Sequence, residues 1–146
     1  MTAPSTPAGA PGALRRLASP LSALAAVALP TAFVATVDPN SPGHYPTCPF
    51  LQLTGWWCPG CGGLRCVHAL TRGELGVAVH DNLLAVALFG VLGVLWVRWA
   101  RAALTRQAPP GFSPGLRHVL ALIALMVAFT VLRNLPAGGW LAPPLV

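Results

Sequence analysis

Between Leu17 and Val37 the chain runs for 21 residues without a charge. At ~1.5 Å of rise per residue, that stretch as a helix crosses a hydrocarbon layer ~30 Å thick. Two further apolar runs, Leu83 to Val97 and Val119 to Leu132, are shorter and need their flanks to span. Asp81 or Asn82 can cap the start of the second run. Its far end can extend through Trp96, Arg98, Trp99 and Arg101, whose long side chains snorkel to the interface. Ser113 followed by Pro114 makes an N-cap and first-turn pair for the third, and Pro136, Gly138 and Gly139 stop it. Trp96, Trp99 and Trp140 fall where a headgroup-level aromatic belt belongs.

Composition excludes the alternatives. Only 8% of the 146 residues are charged, against about a quarter in a soluble domain. The 55% hydrophobic content excludes disorder for most of the chain. The expected fold is all-α, an integral membrane protein with three transmembrane helices plus a short interfacial helix in an external Cys-rich loop. Its boundaries are a disordered tail at 1–14, helices at 15–37, 83–101 and 114–135, the external loop at 38–82, a cytoplasmic loop at 102–113 and an external tail at 136–146. Pro30 is expected to kink the first helix. Arg15-Arg16 before an apolar run also suits a cleaved signal peptide. The run exceeds a usual signal core and no Ala-x-Ala site precedes Asp38, which favours a retained helix.

The net charge is +6 and all nine basic residues are Arg. Seven of them, Arg15, Arg16, Arg98, Arg101, Arg106, Arg117 and Arg133, flank apolar runs instead of forming a stripe with interleaved aromatics, so orientation in a bilayer explains them better than nucleic acid does. Arg15 and Arg16 precede the first helix, and Arg98, Arg101, Arg106 and Arg117 surround the second loop. The 38–82 segment holds only Arg65 and Arg72, and the C-terminus only Arg133. The positive-inside rule then puts the N-terminus in the cytoplasm, with the 38–82 loop and the C-terminus outside. The lack of Lys and the wealth of Ala, Gly, Pro and Arg suit a GC-rich bacterial genome, hence a multi-pass protein of the bacterial inner membrane. Expected partners are the lipid bilayer and a membrane protein or second copy of the chain.

All four cysteines, Cys48, Cys58, Cys61 and Cys66, lie in one 19-residue window. Pro and Gly punctuation leaves Cys48 in a loop, while composition from Cys61 to Arg72 is helical, with Gly73 as a stop. On a helix over about 61–72, Cys61, Arg65, His68 and Arg72 share one face, and a thiol at the helix start beside two guanidinium groups has a lowered pKa. Cys66 lies off that face.

Three kinds of chemistry fit. The first is a structural or partner-docking loop tied by two disulfides of open connectivity, with no cofactor and no catalytic residue. The second is thiol–disulfide redox through Cys58 and Cys61, tuned by Arg65 and His68, although no βαβ pattern supports a thioredoxin-like domain. The third is zinc held by Cys48, Cys58 and Cys61 with Cys66 or His68. His44, His80 and His118 are isolated, and no Ser-His-Asp set, carboxylate pair, P-loop or dinucleotide motif occurs. These observations favour a site that is not an enzyme's.

Cys48-Pro49, Gly55, Cys58-Pro59-Gly60-Cys61-Gly62, Arg65, Gly73, Ala78 and Asn82-Leu83 together resemble the domain of unknown function 2752 family of small bacterial membrane proteins, over about Cys48 to Val97. Gly63-Leu64 stands where that family more often has an apolar residue and Thr, Cys66 where a small residue is usual, and Leu83 where Pro is common. The resemblance implies a membrane location and a shared site around Cys48, Cys58, Pro59, Gly60, Cys61, Gly62, Arg65 and Asn82, with Cys66 as an addition. It implies no activity.

Overall fold

The computed structural model describes residues 12–41, 43–105 and 114–143. Those residues form five helices: α1 (Ala13–Thr36), α2 (Pro49–Thr54), α3 (Gly63–Thr71), α4 (Leu75–Thr105) and α5 (Leu116–Asn134). A single 3-10 turn, Pro136–Leu141, follows α5, and no strand occurs among the described residues. The protein is all-helical, and α1, α4 and α5 are each long and apolar enough to cross a membrane.

Burial runs opposite to that of a soluble protein. Leu29, Val27, Val94, Leu120 and Ile123 point outward from the long helices, and in the most apolar window of α4 no residue is buried. An exposed Leu or Ile forfeits ~1.5–3 kcal/mol in water, so such a surface is stable only against lipid. The buried set includes the polar His68, Asp81, Asn82 and Arg133, all at one end of the bundle.

The long helices alternate in direction. Near the start of α1, the Pro20 carbonyl accepts from Trp96 Nε1 late in α4 at 2.9 Å. At the other end of α1, the Val34 carbonyl accepts from His68 Nδ1 on α3 at 2.8 Å. The end of α5, with Arg133 and Asn134, returns to this second end and meets the cysteine segment.

Several local features differ from the sequence expectation. Helix α1 starts at Ala13 and holds both Pro20 and Pro30 inside one element. Helix α5 starts at Leu116 behind Gly115, and the expected cap Ser113 lies outside the described residues, as do 1–11 of the tail, 106–113 of the second loop and 144–146. Helix α2 was not expected: Cys48 is its N-cap, with Pro49 pre-set at its first position and Gly55 (φ 71°) closing it. Within the 136–146 tail, the Pro136–Leu141 segment forms a 3-10 helix packed on α4 and α5.

Helix α3 begins at Gly63, two residues after Cys61, because Gly62 takes the left-handed conformation (φ 79°) and breaks the register. It ends as expected at Gly73 (φ 77°), where the Glu74 N–H bonds the Ala69 carbonyl and the Gly73 N–H bonds the Leu70 carbonyl, a complete Schellman motif. Helix α4 is interrupted once. Asn82 is extended (φ −163°, ψ 90°), separating a helical segment at 75–81 from the long one at 83–105. Its Oδ1 accepts from the Ala85 N–H at 2.9 Å, so Asn82 is the N-cap of the membrane-spanning part.

Candidate metal centre

Three sulfurs converge. Helix α2 delivers Cys48 from its N-cap, and the Cys58-Pro59-Gly60-Cys61 stretch closes a tight turn in which the Cys61 N–H donates to the Cys58 carbonyl at 3.1 Å. Cys58 Sγ lies 3.4 Å from Cys48 Sγ and 2.8 Å from Cys61 Sγ, and all three atoms fall within 4.8 Å of one another. The Cys58 backbone N–H also points at Cys61 Sγ, at 3.3 Å. All four cysteines are free thiols.

The turn is held by the ends of two membrane-spanning helices. Asn82 Nδ2 donates to the carbonyls of Pro59 (2.9 Å) and Cys61 (3.1 Å). From α5, Arg133 Nη1 donates to the carbonyls of Cys58 (2.8 Å) and Cys61 (3.2 Å), while Nη2 reaches those of Leu141 (3.0 Å) and Asp81 (3.5 Å). The neighbouring Asn134 grips Trp57 at both backbone groups, accepting from its N–H at 2.8 Å and donating to its carbonyl at 2.9 Å. Gly62 completes the seat, because a Cβ there would collide with the Asp81 carbonyl.

Electrostatics reverse the expectation for Cys61. Helix α3 starts too late to stabilise its thiolate, and burial, reinforced by the Cys58 and Cys48 thiols, pushes its pKa up to about 12. Cys48 moves the other way, lowered chiefly by the Leu51 N–H at the start of α2. Cys66 is pushed up to about 11 by burial and the nearby Asp81 carboxylate.

The expected site residues therefore divide. Cys48, Cys58, Pro59, Cys61, Gly62 and Asn82 come together, and Gly60 lies within the turn. Cys66 is fully buried elsewhere, its Sγ toward the Asn82 carbonyl at 3.8 Å, so the cluster has no fourth sulfur with which to form two disulfides. His68 faces α1: Nδ1 donates to the Val34 carbonyl and Nε2 accepts from Arg72 Nε at 2.9 Å, so the ring ties α3 to α1. Asp38 lies 3.7 Å from the same Nε2. Arg65 acts electrostatically on Asp81. The shared face expected for Cys61, Arg65, His68 and Arg72 is thus not formed around Cys61.

Arg133 and Asn134 are the residues that sequence reading missed. A signal is present in the sequence, since an Arg inside an apolar helix is a site candidate by its cost alone, although the positive-inside count accounts for the same residue as an orientation charge. Beside the sulfurs, Cys48, Pro49, Phe50, Cys58 and Pro59 form one wall, and Met126, Val127, Thr130 and Val131 of α5 the other, of an apolar groove of about 590 Å³.

Residues 48–96 match the family described as "Protein of unknown function (DUF2752)", so the resemblance read from the cysteine segment holds over about a third of the chain. No curated protein and no solved structure matches the chain.

Proposed function

We infer, for a membrane protein whose residues 48–96 carry the DUF2752 segment, that Cys48, Cys58 and Cys61 hold a thiophilic metal ion at the membrane surface. One observation carries this reading: three sulfurs, not two, close on one point. A disulfide uses two and strands the third, whereas a metal uses all three. Zinc takes cysteine sulfurs at about 2.3 Å and prefers four ligands. No fourth His, Cys, Asp or Glu joins the group among the described residues, so one coordination position is left open.

Such an ion would tie α2 to the Cys58–Cys61 turn, which sharpens the expected structural or docking role into a metal-dependent one. The open position gives it a place to receive a ligand from a partner. Orientation supports an outward site. Arg15, Arg16, Arg98, Arg101 and Arg117 sit on the helix ends opposite the cysteines, and the positive-inside rule sends that end to the cytoplasm of a bacterial cell.

Redox exchange between Cys58 and Cys61 is the second reading, favoured by their 2.8 Å separation within one turn. Metal analysis with thiol counting separates the two. One ion per chain, kept in C66S and lost in C48S, C58S and C61S, supports the metal centre. A metal-free chain with a Cys58–Cys61 bridge that glutathione opens and closes overturns it in favour of redox.

A further inference from the structure

Arg133 is 1% exposed, its Nε has no hydrogen-bond partner, and its four bonds go to neutral carbonyls. Its guanidinium also lies over the Phe129 ring, 4.9 Å from the centroid. Carbonyls and a ring face ease the cost of burying a cation but leave its charge unbalanced. The charged or ionisable groups in electrostatic reach are Cys61, Cys58 and Arg65, and Arg65 itself faces Asp81. Among the described residues, the groups that can balance Arg133 are therefore the sulfurs of the cluster once they are ionised.

We propose that Arg133 is the counter-charge of the metal centre and that the resident ion is divalent. This rests on the metal reading above. Three thiolates carry three negative charges, a divalent d10 ion such as Zn2+ returns two, and Arg133 supplies the third. Arg65 acts on the neighbouring Asp81. A monovalent ion would leave one negative charge uncompensated beside the buried Cys61. Arg133 acts as a positioning residue as well, since the same guanidinium fixes the Cys58 and Cys61 carbonyls and so the spacing of the two thiols.

The test uses full-length protein in detergent, its metal content as purified, zinc titration against a chromophoric chelator, and cobalt substitution. One zinc per chain is expected in the wild type. R133Q should weaken zinc binding by at least about tenfold, and R133K, which keeps the charge but not the planar fork, should recover most of the loss. The thiolate-to-cobalt band should move to longer wavelength in R133Q and stay in place in R133K, a shift that a packing defect alone does not produce. If R133Q does not fold, R133K decides: zinc affinity near that of the wild type supports the charge role, and a folded R133K that has lost zinc overturns it. A folded R133Q with unchanged zinc affinity, or a wild type carrying one copper(I) per chain, also overturns the proposal while leaving the metal reading intact. A wild type that holds no metal defeats the parent reading and this inference with it.

Discussion

Asn82 and Arg133 meet on a single atom: the carbonyl oxygen of Cys61 accepts from Asn82 Nδ2 at 3.1 Å and from Arg133 Nη1 at 3.2 Å. One donor opens the membrane-spanning part of α4 and the other closes α5. The cysteine turn is therefore clamped by two helices that are 51 residues apart in the chain, and any movement of one helix end against the other is felt at the sulfurs.

Asn82→Ala removes both the cap of 83–105 and two donors to the turn. The cap is worth about 1 kcal/mol and the Pro59 carbonyl left unpaired about 1–3 kcal/mol, while the Cys61 carbonyl keeps Arg133, so a loss of roughly 2–3 kcal/mol is expected. Asn82→Asp keeps the acceptor for Ala85 and still loses both donors. Thermal unfolding in detergent checks the pair, and an N82A midpoint equal to that of the wild type would show that the clamp contributes nothing.

Gly62→Ala and Gly63→Ala form a contrasting pair. At Gly62 a methyl group meets the Asp81 carbonyl and must also take a positive φ, while at Gly63 nothing lies within 4 Å. The left-handed conformation alone costs about 1–2 kcal/mol for a residue with a Cβ. G62A should therefore unfold readily, whereas G63A changes stability by less than about 1 kcal/mol. Equal midpoints for the two variants would contradict the seat described for the turn.

Cys66→Ala tests whether the fourth cysteine belongs to the site. Cys66 is fully buried against Ala69 and Ala78, so removing its sulfur leaves a small cavity and costs about 1 kcal/mol. Metal content should be unchanged. Loss of metal from a folded C66A would make Cys66 a ligand and revise the three-sulfur centre.

Alkylation order follows from the thiol environments. A thiol reacts as its thiolate, so a lowered pKa gives an earlier rise with pH and a raised one a later rise. In reduced, metal-free protein at neutral pH, iodoacetamide should mark Cys48 ahead of Cys61 and Cys66. Labelling of Cys48 should level off first, while that of Cys66 climbs toward about 11 and that of Cys61 toward about 12. Mass spectrometry of the digest reads each site, and coincident pH profiles for Cys48 and Cys61 would rule out the assigned environments.

Local chemistry that acts over a few residues was legible in the sequence. The uncharged run from Leu17 to Val37 required a spanning helix because lipid satisfies no backbone group from outside. Gly73 stopped α3 because a Schellman turn needs a left-handed residue there, and the choice between Asp81 and Asn82 as the cap of 83–105 was already narrowed to two. The thiol cluster was foreseeable only as a window of four.

Tertiary structure alone decided which of the four act together. Cys48 joins Cys58 and Cys61 because α2 turns its cap toward them, and Cys66 is excluded because α3 packs it against Ala69 and Ala78. Arg133 looked like an orientation signal and is a buried cation on the cysteine turn, since its partners are 72 and 75 residues away and are carbonyls that any residue carries. Side-chain pattern records how a segment meets lipid. A backbone oxygen bonded across the bundle leaves no mark in the sequence, and at this site such oxygens hold the thiols in place.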